Sequence, residues 1–213
     1  MRVLGIIVGI IAGVGVIFYI FFGLGDMRIG KIALTRSDYF SAVDRFQRIL
    51  AKDPQDAQAR LYLGITYGKM GDYEQAFKEF DWLKTVRPDF SISAQQYNEI
   101  GMFYYLKERR QEAIYEFKKA VELDPRFVDA YFNLGTAYSS LDNFQGAVAA
   151  YAAAVKIDPK HAYSHWNLAV VLEKLGNTQE AINHWEQYIK LTPGVFSNPE
   201  VAKHIKELKE QLK

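Results

Sequence analysis

The chain has 213 residues, 49% apolar and 24% charged, enough for one folded module with a short additional element. Cysteine is absent, which excludes a disulfide framework, a thiol nucleophile and a cysteine-based metal site. From Asp26 onward 25 basic residues face 25 acidic ones, and such a balance argues against nucleic acid as the main ligand, because counterion release needs a clustered positive face.

Val3 to Gly25 holds no charged residue. Twenty-three residues as a helix would reach ~34 Å, enough for a hydrocarbon core of ~30 Å. The stretch exceeds a usual signal core of ~7–15 residues, and no A-x-A site comes after it. Residues 1–25 are therefore read as a transmembrane helix, with a cleaved signal and a secreted module as the alternative. Gly5, Gly9 and Gly13 recur every four residues and share a face, the spacing at which small residues let a second membrane helix pack closely. The expected contact is an integral membrane subunit or a second copy of the chain. Arg28, Lys31 and Arg36 outnumber Arg2 across the span, which favours the cytoplasmic side for the chain beyond Gly25.

Beyond the span the chain repeats itself. Pro54, Pro88, Pro125, Pro159 and Pro193 lie 34, 37, 34 and 34 residues apart. Each closes a unit of two apolar-periodic stretches joined by a polar turn, a helix–turn–helix. The units run 57–88, 94–125, 128–159 and 162–193, with a more degenerate one at 26–54. A period near 34 implies stacked helical hairpins. Every first helix carries a large–small pair: Ile29-Gly30, Leu63-Gly64, Ile100-Gly101, Leu134-Gly135 and Leu168-Ala169. Every second helix carries an alanine followed four residues later by an aromatic: Ala42 and Phe46, Ala76 and Phe80, Ala113 and Phe117, Ala147 and Tyr151, Ala181 and Trp185. Small residues belong where helices cross closely, and aromatics fill the space between hairpins.

This pattern resembles the tetratricopeptide repeat (TPR) family over residues 26–193. The resemblance implies an all-α fold, a right-handed α-solenoid of about five hairpins. Two departures stand out. Glu108-Arg109-Arg110 replaces the Gly- or Asn-containing turn of the other units. Three extra residues precede Ala94, expected as a longer loop around Phe90 or a half-turn capped by Ser91. Residues 194–213 are expected to form a capping helix: Asn198-Pro199-Glu200 is a helix start, and Val201, Ile205, Leu208 and Leu212 form an apolar stripe.

In this family the first helices line a concave groove. Register carries that face to Leu61 and Ile65; to Asn98, Met102 and Tyr105; to Phe132 and Thr136; and to Tyr163, Trp166 and Val170. The composition suits a bound peptide or helix. Some family members grip a C-terminal carboxylate with Lys and Asn, but Leu61 and Ile65 occupy the matching positions, which argues against that clamp. No phosphate loop, nucleophile elbow or H-E-x-x-H motif occurs. His161 and His165 lack an evident third metal ligand, and His184 and His204 read as exposed helix residues. No cofactor and no enzymatic activity are expected. The reading is a membrane-anchored protein–protein interaction module, acting as adaptor, assembly factor or accessory subunit of a membrane complex. Its alternatives are a self-assembling scaffold and the secreted module.

Overall fold

The computed structural model describes residues 25–193 and 199–212. Among these there are eleven helices and no strand. Two compact units divide between Ser91 and Ile92.

The first unit holds α1 (residues 25–35), α2 (Tyr39–Lys52), α3 (Ala57–Met70) and α4 (Tyr73–Val86). Its core gathers Ala33, Ala42, Phe46, Ile49, Ala59 and Leu63. Asp26, buried on α1, is held by Arg45 at 3.0 Å and Lys52 at 3.8 Å, which fastens α1 to α2. Arg60 pairs with Glu79 at 2.8 Å, and its guanidinium lies 4.1 Å from the Trp82 ring centroid, so α3 and α4 share a charge and a cation–π contact.

The second unit holds α5 (Ala94–Leu106), α6 (Arg110–Leu123), α7 (Val128–Ser139), α8 (Phe144–Ile157), α9 (Ala162–Lys174), α10 (Thr178–Leu191) and α11 (Pro199–Gln211). Its helices pack in chain order, and α7 also touches both α5 and α9. Val201, Ile205 and Leu208 of α11 bury themselves in the core around Leu168, Leu172, Ile182 and Trp185. Thus α11 covers the last hairpin. Leu212, expected on the same stripe, lies beyond the end of the helix and is exposed. Asn198, the expected cap, lies outside the described residues.

One turn closes all five hairpins. Ser37, Gly71, Glu108, Asp142 and Gly176 take positive φ of 61°, 83°, 60°, 55° and 77°. After each, a backbone N–H reaches back five residues: Asp38 to Ala33, Asp72 to Tyr67, Arg109 to Tyr104, Asn143 to Tyr138 and Asn177 to Leu172, all at 2.9–3.0 Å. This is the left-handed helix stop that satisfies the terminal carbonyls. Glu108 adopts it without being glycine, and the two arginines after it hold the turn from outside. The Arg109 guanidinium lies over Tyr104 and bonds Glu112, while Arg110 lies over Tyr105 and donates to its carbonyl.

Side-chain caps repeat as well. Asp38, Asp56, Asp72 and Asn143 each accept the backbone N–H three residues on. Between hairpins, Asp53, Asp124 and Asp158 accept the N–H two residues on across the intervening proline, at 2.9 Å each, a tight turn built by the carboxylate itself. The three extra residues lengthen the loop between α4 and α5, residues 87–93. Its last member, Ser93 rather than Ser91, caps α5, in a reciprocal box with Gln96.

The membrane expectation is corrected. Each helix from α2 to α11 has 12–14 residues, ~20 Å at ~1.5 Å per residue. Among the described residues no helix is long and apolar enough to cross a membrane, and a single-pass membrane location is not supported. Residues 1–24, with Gly5, Gly9 and Gly13, lie outside the described residues.

Candidate protein-binding face

In the second unit α5, α7 and α9, the first helices of three successive hairpins, stand side by side. Adjacent helices in that row are linked through polar side chains. Asn133 donates to the Asn98 side chain at 2.9 Å, from α7 to α5. The Tyr151 hydroxyl reaches Thr136 at 3.1 Å and also bonds Asn167 of α9. Burial pushes the Tyr151 phenol above its ordinary value, which these hydrogen bonds partly offset.

The predicted residues separate into three groups. Leu61 and Ile65, at 1% and 2% exposure, are core and present no surface. Their register matches the residues of the other hairpins, but the face is covered there. Phe132, Trp166 and Thr136 are half-buried and tied into the core. Phe132 meets Tyr151 and, edge-on, His161, while Trp166 meets Trp185 edge-on at 4.6 Å between centroids and Tyr188 at 4.9 Å. Val170 also packs against that core, whereas Asn98, Met102 and Tyr105 are half-buried and Tyr163 is 61% exposed.

Between α5 and the start of α7 an open cleft of about 700 Å³ is lined by Gln95, Asn98, Glu99, Met102, Phe103 and Leu106 of α5. These recur at three- and four-residue steps, one face of a helix. Ala94 adds to the α5 wall, and Asp124, Phe127 and Asp129 form the opposite one. Asn98 and Met102 are legible in the sequence as groove residues. Asp124 and Phe127 are not, because the inter-hairpin turn contributes as a wall and register arguments treat it as a connection, and Glu99 and Phe103 lie on α5 one residue beyond the predicted Asn98 and Met102.

The histidines also differ from expectation. His165 is buried, and its Nε2 sits 3.1 Å from the Pro159 carbonyl oxygen. That acceptor fixes the proton on Nε2, so in the neutral pair Nδ1 accepts from Nδ1–H of His184, 2.9 Å away on α10. Burial, then the neighbouring His165, hold the His184 pKa below the ordinary histidine range, against a smaller upward pull from Glu180. His204 of α11 bonds both Glu173 carboxylate oxygens, and Trp185 donates to the same carboxylate. His161 caps α9 by accepting the Ser164 N–H. These imidazoles join helices to turns or to one another. Among the described residues no three His, Asp, Glu or Cys side chains gather as a metal site.

Three repeat-family models match the chain: a tetratricopeptide repeat at residues 46–78, a TPR repeat at 101–142 and a further tetratricopeptide repeat at 132–195. The chain carries tetratricopeptide repeats. A peroxisomal targeting signal receptor of Candida albicans (strain SC5314 / ATCC MYA-2876) is 27% identical over 112 residues, which cover 49% of this chain and 18% of the receptor. The chain thus matches less than a fifth of that relative's length. Among solved structures, MamA protein superposes with a TM-score of 0.68 at 26% identity, covering 80% of this chain and 91% of its own. YrrB, described as a TPR protein with an unusual peptide-binding site, superposes at 0.72 with 21% identity over 85% of this chain and 90% of its own. The fold is the tetratricopeptide solenoid, of the kind found in protein–protein interaction modules.

Proposed function

We propose that the chain is a non-enzymatic peptide-binding adaptor, and that it takes its ligand along the row α5, α7 and α9. The observation that carries this reading is the open cleft beside α5. It combines apolar side chains of Met102, Phe103, Leu106 and Phe127 with hydrogen-bonding groups of Gln95 and Asn98. An apolar floor with a few convergent polar groups is the composition of a peptide site. With its oxygen engaged by Asn133, the Asn98 amide nitrogen keeps two hydrogens to donate to a peptide carbonyl. Tyr163, large and exposed on α9, extends the surface, and tyrosine is favoured at interfaces. The YrrB and peroxisomal-receptor likenesses support a peptide as the partner class.

The test is a double variant, Met102→Lys with Tyr163→Lys. Both positions are at least partly exposed, so helicity should persist while binding of peptides selected on the natural chain falls at least tenfold. Unchanged affinity would move the site off this face.

A further inference from the structure

Two different pairs of side chains fill one position of the repeat. In the second hairpin, Arg60 of α3 donates to the Pro54 carbonyl at 2.9 and 3.1 Å and pairs with Glu79 of α4 at 2.8 Å. In the last hairpin, His165 of α9 donates from Nε2 to the Pro159 carbonyl at 3.1 Å and meets His184 of α10 at 2.9 Å. The offsets are the same, six residues back to the proline carbonyl and 19 forward to the second helix. Each pair ties the two helices of a hairpin to the turn before them. An arginine and a glutamate keep their charges between about pH 5 and 8, whereas imidazoles titrate inside that window.

The closed pair has little room for protons. His165 donates from Nε2 and accepts at Nδ1, so a proton added to it would set two N–H groups face to face. A proton added to His184 would place a charge against that buried ring. Burial and then His165 lower the His184 pKa, while Glu180, one turn earlier on α10, pulls the other way. Around the hairpin, Tyr151 of α8 engages Thr136 of α7 and Asn167, His161 bonds Ser164, and His204 and Lys209 of α11 bond Glu173 and Glu186. Protonation of His204 would tighten its bond to the Glu173 carboxylate, the opposite sign to an acid opening. With α10 away from α9 both rings of the pair can take protons, so the open form gains on the closed one as pH falls below about 6.5. We infer that His165 and His184 form an acid-operated latch, which holds α10 against α9 at neutral pH and releases it as both imidazoles take up protons. Trp166, next to His165, packs on Trp185 and Tyr188 of α10, so opening disturbs the α9 end of the binding face. That coupling, unlike the latch, rests on the peptide-binding reading.

Hydrogen exchange of the full chain at about pH 7.5 and about pH 5.5, followed by mass spectrometry and corrected for the intrinsic pH dependence of exchange, reads the latch without a ligand. Protection of α10 should fall roughly tenfold at the lower pH, while α4 keeps its protection. His165→Arg with His184→Glu installs the pair of the second hairpin and should abolish the fall. His184→Gln, which keeps a donor toward His165 and does not titrate, should do the same if the double variant folds poorly. An equal loss in α4 and α10, or a loss that survives these substitutions, would overturn the latch. A peptide selected on the natural chain at about pH 7.5 should bind more weakly at about pH 5.5, and equally at both to the double variant. Affinity that ignores pH while α10 opens would overturn the coupling alone. Absence of any peptide binding would count against the binding reading and leave the exchange result to decide the latch.

Discussion

A Cβ placed on Gly135 would lie 2.6 Å from the Tyr151 ring. The same relation joins Gly30 to Phe46, Gly64 to Phe80 and Gly101 to Phe117, at 2.6–2.7 Å. The four aromatics are buried and closely surrounded, so the ring has little room to retreat. Alanine at Gly135 would gain about 1 kcal/mol of helix propensity and lose about 1–3 kcal/mol to overpacking. The net expectation for Gly135→Ala is a loss of up to about 2 kcal/mol in urea unfolding. A double-mutant cycle with Tyr151→Leu should show a coupling of about 1 kcal/mol or more. Additivity would mean the ring is not what requires the glycine.

Glu108 sits at φ 60° in a turn where Gly71 and Gly176 occupy the equivalent positions. The left-handed conformation costs a non-glycine residue roughly 1–2 kcal/mol, and glycine's greater unfolded-state entropy returns part of that. Glu108→Gly should therefore stabilise the chain by about 0.5–1 kcal/mol, measured as a rise in urea midpoint at constant m. A fall would mean the Glu108 side chain contributes more than its backbone costs.

The His165–His184 contact makes the last hairpin sensitive to acid. The folded-state pKa of His184 is depressed, so below about pH 6.5 the unfolded chain binds more protons than the folded one. The stability contributed by neutral His184 is full above that pH and is lost as pH falls through the depressed folded value. His184→Gln should flatten the decline in melting temperature between about pH 7 and 5. An unchanged slope would assign the acid sensitivity elsewhere.

Trp166 and Tyr163 share a groove register in the sequence, but their surroundings differ. Trp166 packs edge-on against Trp185 and Tyr188, so Trp166→Ala should cost about 3 kcal/mol. Tyr163→Ala should change stability by less than about 0.5 kcal/mol. Thermal unfolding of the two variants separates a core ring from a surface ring, and similar losses would contradict the assignment.

The hairpins are legible in the sequence because their geometry rests on residue type at fixed spacing: a glycine under an aromatic, an aspartate before a helix, a proline after one. What stays hidden depends on what stands opposite. Leu61 and Ile65 share their register with Asn98 and Met102, yet one pair is covered and the other lines a cleft. Periodicity assigns a face to a helix and leaves open whether that face is covered. The His165–His184 and Glu173–His204 contacts join residues 19 and 31 positions apart, and no local rule brings them together. Glu108 carries no sequence signal of positive φ, since its turn is held by Arg109 and Arg110 from outside.

Site-specific photocrosslinking tests the central claim most directly. A benzophenone amino acid would replace Tyr105 on α5, Tyr163 on α9 or, for comparison, the exposed Tyr115 on α6, and each full-length variant would be irradiated with a peptide selected on the natural chain. The account predicts crosslinks from positions 105 and 163 and essentially none from 115. Crosslinking from 115 with silence at 105 and 163 would contradict it and place the binding surface on the second helices.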